Sequence, residues 1–361
     1  MRVGVIGCGT ISNVYLTNLL TYSGLDVIAV SDIDLDRAQS QAETFGIPQV
    51  KSPEECFDSP EIDLIVNLTV PEVHAAVTLE ALSGGKHVYS EKPLAVSVEE
   101  GKTVLNTAQR WERMVGSAPD TFMGAGLQKC RELIDAGAIG RPVSFNASML
   151  SRGPERWHPN PFIFYRRGAG PLFDFGPYYL TAIVSLLGSV AEVESMSGKS
   201  FSYRVAGHRD IQGQKIPVEV PTHVMAHVRL ASEVIGSFTM SFDVAYTETP
   251  HLEIYGTEGT LSCPDPNRYG GSVRIRKIGS ENWEDIPLSS HYIKNCRGLG
   301  VWDLAQSVET GCTPRANGQL AYHILETMEG ILTSGVSGHT YSIASRVDRP
   351  RVGAPQDQTQ Y

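Results

Sequence analysis

The sequence predicts an α/β domain with a doubly wound parallel sheet over residues 1–120. Behind it comes a second domain over 121–345, built on an antiparallel sheet with one face on the core. Three observations carry this. At 361 residues the chain is too long for a single small core. As far as about Ser117, short β-branched runs alternate with longer helical patterns, which calls for parallel strands with helices on both faces. After Pro119 the texture changes to extended segments that alternate apolar and polar residues.

In order, residues 3–6 read as the first strand and 11–22 as the helix that follows. Strands at 27–31, 64–68, 87–90 and 114–116 are separated by helical patterns at 35–45, 73–82 and 98–113. Right-handed crossovers then favour the doubly wound arrangement. In the second domain a helix is expected over 122–136, stopped by Gly137. Extended segments follow at 142–150, 190–197, 223–230, 236–243, 251–255 and 272–277, and a helix over 318–333 closes the fold. Residues 346–361 lack periodicity and read as a loose tail.

Composition narrows the function. A formal net charge of −10 argues against a nucleic-acid surface, which needs clustered excess Lys and Arg. The six cysteines are far apart with no CxxC pair, so neither a disulfide framework nor a zinc site is expected, and no other metal site is indicated. The chain opens directly on a strand without a secretory pattern, and no apolar run reaches the roughly 20 residues of a membrane helix. A cytoplasmic protein without membrane partners is therefore expected.

The first strand runs straight into Gly7-Cys8-Gly9-Thr10-Ile11-Ser12, which opens a helix. The first Gly permits a tight turn, and the second lets backbone approach a pyrophosphate at the helix N-terminus. Ser12 stands where the usual third Gly would be. Asp32 ends the second strand, 20 residues past Ser12, where a ribose-binding acid belongs. Its carboxylate suits NAD and would repel the 2′-phosphate of NADP, although Arg37 nearby would favour phosphate.

Two clusters carry the chemistry. Ser90-Glu91-Lys92-Pro93 lies at the C-terminal end of a parallel strand, where such sheets bind ligands. Before a proline Lys92 is pushed to extended geometry, which would aim it toward the crevice. The second is the glycine-rich stretch from Gly168 to Tyr179, whose glycines shape a loop while Leu172-Phe173 and Leu180–Leu187 read as a buried helix. Asp174 and Tyr178, four apart, would share a helix face. A purely structural alternative has Asp174 capping and Tyr178 packing.

Together these elements resemble the Gfo/Idh/MocA family of oxidoreductases. The resemblance rests on the glycine turn, Thr69-Val70-Pro71-Glu72-Val73-His74, Glu91-Lys92-Pro93, the stretch ending Asp174-Phe175-Gly176-Pro177-Tyr178, and Ile254 to Leu261. It implies a Rossmann domain and an α+β domain with a large open, mostly antiparallel sheet, often used for dimer or tetramer contacts. It further implies a cofactor site of Gly7, Gly9, Thr10, Ile11, Asp32, Ile33, Arg37, Thr69, Pro71, His74, Glu91 and Lys92. The implied activity is hydride transfer between NAD and a hydroxyl carbon of a sugar or cyclitol. A redox-neutral glycosidase or isomerase that keeps its NAD is the alternative.

Many members have His where Tyr178 stands, so this chain is similar to the subset with Tyr. Tyr178 then becomes the proton acceptor, Lys92 its electrostatic partner and Asp174 the orienter. His158, in Arg156-Trp157-His158-Pro159, is the rival acid/base, since its ordinary pKa suits the task. Trp157 offers a platform for a sugar face. Arg152, Arg156, Arg166 and Arg167 crowd the same segment, either as a solvated loop or as a pocket for an anionic sugar.

Overall fold

The structure is a computed structural model that describes residues 1–288 and 292–353. The chain forms two compact units that are not contiguous in sequence. Among the described residues the first comprises Met1–Gly124, Tyr292–Leu325 and 350–353, and the second 125–288 and Glu326–Arg349. Residues 292–325, assigned from sequence to the second domain, thus return to the first. Of the expected tail, 354–361 lie outside the described residues.

The first unit runs β1 (Arg2–Ile6), α1 (Ser12–Leu19), β2 (Asp26–Ser31), α2 (Leu35–Phe45), β3 (Gln49–Val50), α3 (Pro53–Asp58), β4 (Leu64–Asn67), α4 (His74–Ser83), β5 (His87–Ser90), α5 (Val98–Arg110) and β6 (Val115–Ser117). All strand pairs are parallel, in the order β3-β2-β1-β4-β5-β6. The order reverses between β1 and β4, and the crevice at the C-terminal ends of those strands is where such sheets bind ligands. Val3, Val5, Val30, Ile65, Val66 and Val88 are buried on both faces, hence the near-continuous apolar runs. Helix α3 escaped the sequence reading although its signals are local: Ser52 and Glu55 form a capping box around Pro53.

The second unit begins with α6 (Ala125–Asp135), β7 (Pro142–Leu150), α7 (Gly170–Leu187), β8 (Val190–Gly198), β9 (Tyr203–Val205) and β10 (Lys215–Pro217). It continues with β11 (His223–Leu230), β12 (Ile235–Ser241), β13 (Leu252–Gly256), β14 (Gly259–Cys263), β15 (Val273–Lys277) and β16 (Glu284–Ile286). The chain then adds α8 (Leu299–Thr310), α9 (Gly318–Ser337) and β17 (Tyr341–Ser342). The large sheet has the order β16-β15-β14-β13-β7-β12-β11-β8-β17, antiparallel throughout except for the parallel pair β12–β7. Phe145, Ala147, Val224, Ala226, Val228, Phe238 and Met240 are buried on the face packed by α7. Strand β14 is not among the extended segments expected from sequence; Gly259 opens it straight after the reversal from β13, with which it pairs antiparallel.

Helix α8 belongs to the first unit, and its tie is visible there. Asp120 Oδ2 accepts from Gly298 N at 3.0 Å and Gly300 N at 2.9 Å, capping a helix start that has no side-chain cap of its own sequence. No described helix is long and apolar enough to cross a membrane, and all six cysteines are free thiols. Among the described residues no group of three or more metal-ligating side chains occurs.

Candidate active site

The two glycines after β1 differ in what they are for. Gly7 has φ +102°, and a Cβ there would lie 2.6 Å from the Leu68 carbonyl and 2.8 Å from Thr69 N, so the fold itself demands glycine. At Gly9 a Cβ would meet nothing within 4 Å. Its bare backbone leaves room for a ligand to come close. Ser12, buried, donates from Oγ to Gly9 O at 2.7 Å and closes the turn, which explains a hydroxyl in place of a third glycine. Exposed Thr10 and half-buried Ile11 precede α1, whose N-terminus has no side-chain cap. Such an end suits an anion through its N–H donors and the helix dipole.

Asp32 is held beside this turn. Its Oδ2 accepts from Cys8 N at 2.7 Å and its Oδ1 from Asp34 N at 2.9 Å, while the residue stays 7% exposed. Arg37 lies 3.7 Å from Asp32 Oδ1 and 3.3 Å from Asp34 Oδ2. Two carboxylates thus face one guanidinium, so the corner favours ribose hydroxyls over a further phosphate. Ile33 is 95% exposed, an apolar side chain that the fold leaves bare and an adenine ring would cover.

At the ends of β4 and β5 several expected site residues turn inward. Glu91 accepts from Tyr15 Oη at 2.8 Å and from Lys92 N at 3.0 Å, so its carboxylate fixes the backbone that carries Lys92. Lys92 itself is half-buried and precedes a cis peptide to Pro93. His74 was expected to face cofactor. Instead it is 1% exposed, with Nδ1 2.7 Å from Pro93 O and Nε2 3.0 Å from Thr69 O. Both ring nitrogens are taken by main-chain carbonyls, so His74 braces the Thr69 and Pro93 loops rather than offering a nitrogen to a ligand. Burial lowers its pKa. Thr69 donates from Oγ1 to Asn67 Oδ1 at 2.6 Å, and Pro71 opens a 3-10 turn ahead of α4.

In the second unit, α7 starts at Gly170 and runs unbroken through Gly176 and Pro177, so glycines expected to shape a loop lie within the helix. Pro at 177 lacks the N–H that would bond the Phe173 carbonyl, and a Cβ at Gly176 would press on Leu172 and Met328 at 3.2 and 3.3 Å. Asp174 and Tyr178 therefore do sit one turn apart on a single helix, Asp174 half-buried and Tyr178 8% exposed. The Tyr178 ring tilts against Phe175 at 6.4 Å.

His158 lies within the electrostatic reach of Asp174, packed edge-on between Trp157 (5.4 Å) and Phe164 (4.9 Å). Burial lowers its pKa, against the opposing effects of the Asn160 main chain and the Asp174 charge. Asn160 N donates to its Nδ1 at 3.0 Å. With Nδ1 accepting, the neutral ring carries its proton on Nε2. Trp157 is 66% exposed.

The arginines separate. Arg166 and Arg167 are exposed on the segment before α7, whereas Arg152 and Arg156 line a cleft with Glu155, Phe201, Tyr203, Arg204 and Asp243. Sequence reasoning missed the floor of that cleft. Arg204, 8% exposed, donates to Arg152 O at 3.0 Å and to Phe242 O, and lies 3.3 Å from Glu155 and 3.5 Å from Asp243. Tyr165 Oη donates to the same Glu155. These residues come from distant segments, and no spacing announces them.

Residues 1–118 match the family model described as "Oxidoreductase family, NAD-binding Rossmann fold", and residues 127–262 match "GFO/IDH/MocA C-terminal domain". The chain belongs to the Gfo/Idh/MocA oxidoreductase family. Its cofactor is NAD, and the glycine turn, the uncapped start of α1 and the Asp32 corner fit that group. Among relatives, the chain is 29% identical over 350 residues to 1,5-anhydro-D-fructose reductase of Ensifer adhaerens, covering 95% of this chain and 98% of that one. It is 25% identical over 316 residues to scyllo-inositol 2-dehydrogenase (NAD(+)) of Bacillus subtilis, covering 87% and 88%. The family fold recurs in levoglucosan dehydrogenase in complex with NADH and levoglucosan, with TM-score 0.83, 19% identity, and coverage of 96% and 99%.

Proposed function

We propose that this protein moves hydride between NAD and a hydroxyl-bearing carbon of a sugar or cyclitol, with Tyr178 taking the hydroxyl proton. NAD supplies the two-electron acceptor at its nicotinamide ring. Within the second unit Asp174 accepts a hydrogen bond from a substrate hydroxyl and orients it, one helical turn from the Tyr178 phenol. Lys92 is assigned the stabilisation of the alkoxide as hydride leaves. The sugar or cyclitol class is supported by the activities of the relatives named above.

One observation carries the choice of base. His158 Nδ1 is occupied by Asn160 N–H, which makes His158 a donor through Nε2, whereas Tyr178 shares the face of α7 with Asp174. The test is NADH formation by absorbance across sugars and cyclitols for Tyr178→Phe and His158→Gln. Tyr178→Phe is expected to lower kcat about 100-fold or more, while His158→Gln mainly raises KM. Full turnover by Tyr178→Phe sinks the assignment. Product formation without NADH accumulation would mark the redox-neutral course instead.

We also propose a second copy of this chain as the partner of the open sheet face. Met196 (82% exposed) and Met225 (52%) are direct cross-strand partners on β8 and β11, with Ile235 (42%) on β12. An exposed methionine pair on an open sheet face, with Ile235 further along on the same face, suits self-association. Met196→Asp with Met225→Asp should shift the protein to a monomer by light scattering, and an unchanged mass counts against it.

A further inference from the structure

We infer that the arginine-lined cleft of the second unit binds an anionic group of the substrate, a carboxylate or phosphate remote from the carbon that is oxidised. This rests on the sugar-oxidoreductase reading above and names its substrate class: a sugar acid, sugar phosphate or acidic glycoside.

The cleft is a built site. Its volume of about 720 Å³ falls among those that hold small ligands. Its floor is the buried Arg204, clamped by Glu155, Asp243 and two main-chain carbonyls. That clamp also settles the charge. Both lining carboxylates are spent on Arg204, and among the described residues neither Arg152 nor Arg156 has a carboxylate within ion-pair distance. That trio keeps one negative charge, so with the exposed Arg152 and Arg156 guanidinium forks the ionisable lining of the cleft carries a net charge of +1. Arginine forks match the two oxygens of a carboxylate or phosphate better than a point-charge ammonium does. Phe201 and Tyr203, about half exposed, add flat apolar faces of the kind that cover the C–H side of a pyranose, and the Phe201 ring lies 5.0 Å from the Arg204 guanidinium.

The cleft also joins the proposed acid/base within the same unit. Ring contacts run from Tyr178 to Phe175 (6.4 Å), Phe175 to Phe242 (6.4 Å) and Phe242 to Tyr165 (6.0 Å), and Arg204 lies 5.8 Å over Tyr165. A single segment places Arg152 and Arg156 in the cleft and His158 in reach of Asp174. The Tyr165 and Phe242 rings are buried and tie the cleft to α7, while the shared 152–158 segment presents both the cleft arginines and His158, so one acidic substrate can be engaged from a single loop.

The test is calorimetric titration of the NAD-loaded protein with D-glucuronate, D-glucose 6-phosphate and neutral D-glucose. It is repeated on the double variant Arg152→Gln, Arg156→Gln, whose exposed positions leave the Arg204 clamp intact. At least one charged probe is expected to bind the native protein more tightly than glucose. The double variant should lose that preference, about tenfold or more, with glucose unchanged. The charged probe that loses most distinguishes carboxylate from phosphate. Equal binding of charged and neutral probes, or a double variant that keeps the preference, overturns the inference. Calorimetry reads the cleft without turnover, so absence of NADH formation with every sugar would instead overturn the proposed function.

Discussion

Gly9→Ala adds one methyl group at a point where nothing of the protein lies within 4 Å. The fold does not resist it, and the smaller unfolded-state entropy of Ala gives a gain of about 0.4–1 kcal/mol where the backbone is compatible. Thermal stability without ligand should therefore be unchanged or slightly raised. The dinucleotide meets the methyl instead. Pushing the pyrophosphate off the backbone forfeits about one charge-assisted hydrogen bond, about 1.5–3 kcal/mol, so NAD should bind about 10- to 150-fold more weakly. Gly7→Ala is the matched contrast. There the Cβ would sit 2.6 Å from the Leu68 carbonyl at φ +102°. Backbone strain and overpacking, about 1–3 kcal/mol each, should lower the melting temperature of the apo protein by several degrees. Differential scanning fluorimetry without ligand and calorimetric titration with NAD read the two effects separately. If Gly9→Ala folds normally and binds NAD as tightly as the parent, the pyrophosphate does not lie on this turn.

Two further outcomes are expected. Asp32→Asn removes one of the two carboxylates facing Arg37, so the ratio of kcat/KM for NADP over NAD should rise about tenfold, and an unchanged ratio counts against Asp32 as the ribose acid. Burial, aided by the Arg113 charge, lowers the His87 pKa from 6.5 to about 4, so between those values the unfolded chain binds more protons than the folded one. Stability from this group is then fully present above pH 6.5 and lost as pH falls toward 4, at most about 3 kcal/mol. Urea unfolding at pH 7, 5.5 and 4.5 should show a flatter decline for His87→Gln than for the parent, and parallel declines would refute it.

Much of the site could be read in the sequence because its signals are local. Gly7, Gly9 and Asp32 lie at the ends of adjacent strands, and their spacing is the spacing of one βαβ unit. Asp174 and Tyr178 are four apart, and a helix period alone places them together. The inward turn of His74 and Glu91 could not be read this way. Their partners are main-chain carbonyls and the Tyr15 hydroxyl, the last 76 residues from Glu91. A residue type in a motif tells that it matters but not which way it faces.

The sequence by itself determined the main alternation of strands and helices in the first unit, the glycine turn with its acid, and the Asp–Tyr pair, since each follows from periodicity or backbone chemistry within a few dozen residues. Only the tertiary structure decided that Gly7 serves packing while Gly9 leaves space, that Arg37 is answered by two carboxylates, and that His158 Nδ1 accepts from Asn160 N. It alone assembled Arg204, Glu155, Asp243 and Tyr165 beneath Arg152 and Arg156. The physical reason is common to all of these: burial and charge pairing depend on what the folded chain brings alongside, and sequence distance carries no record of that.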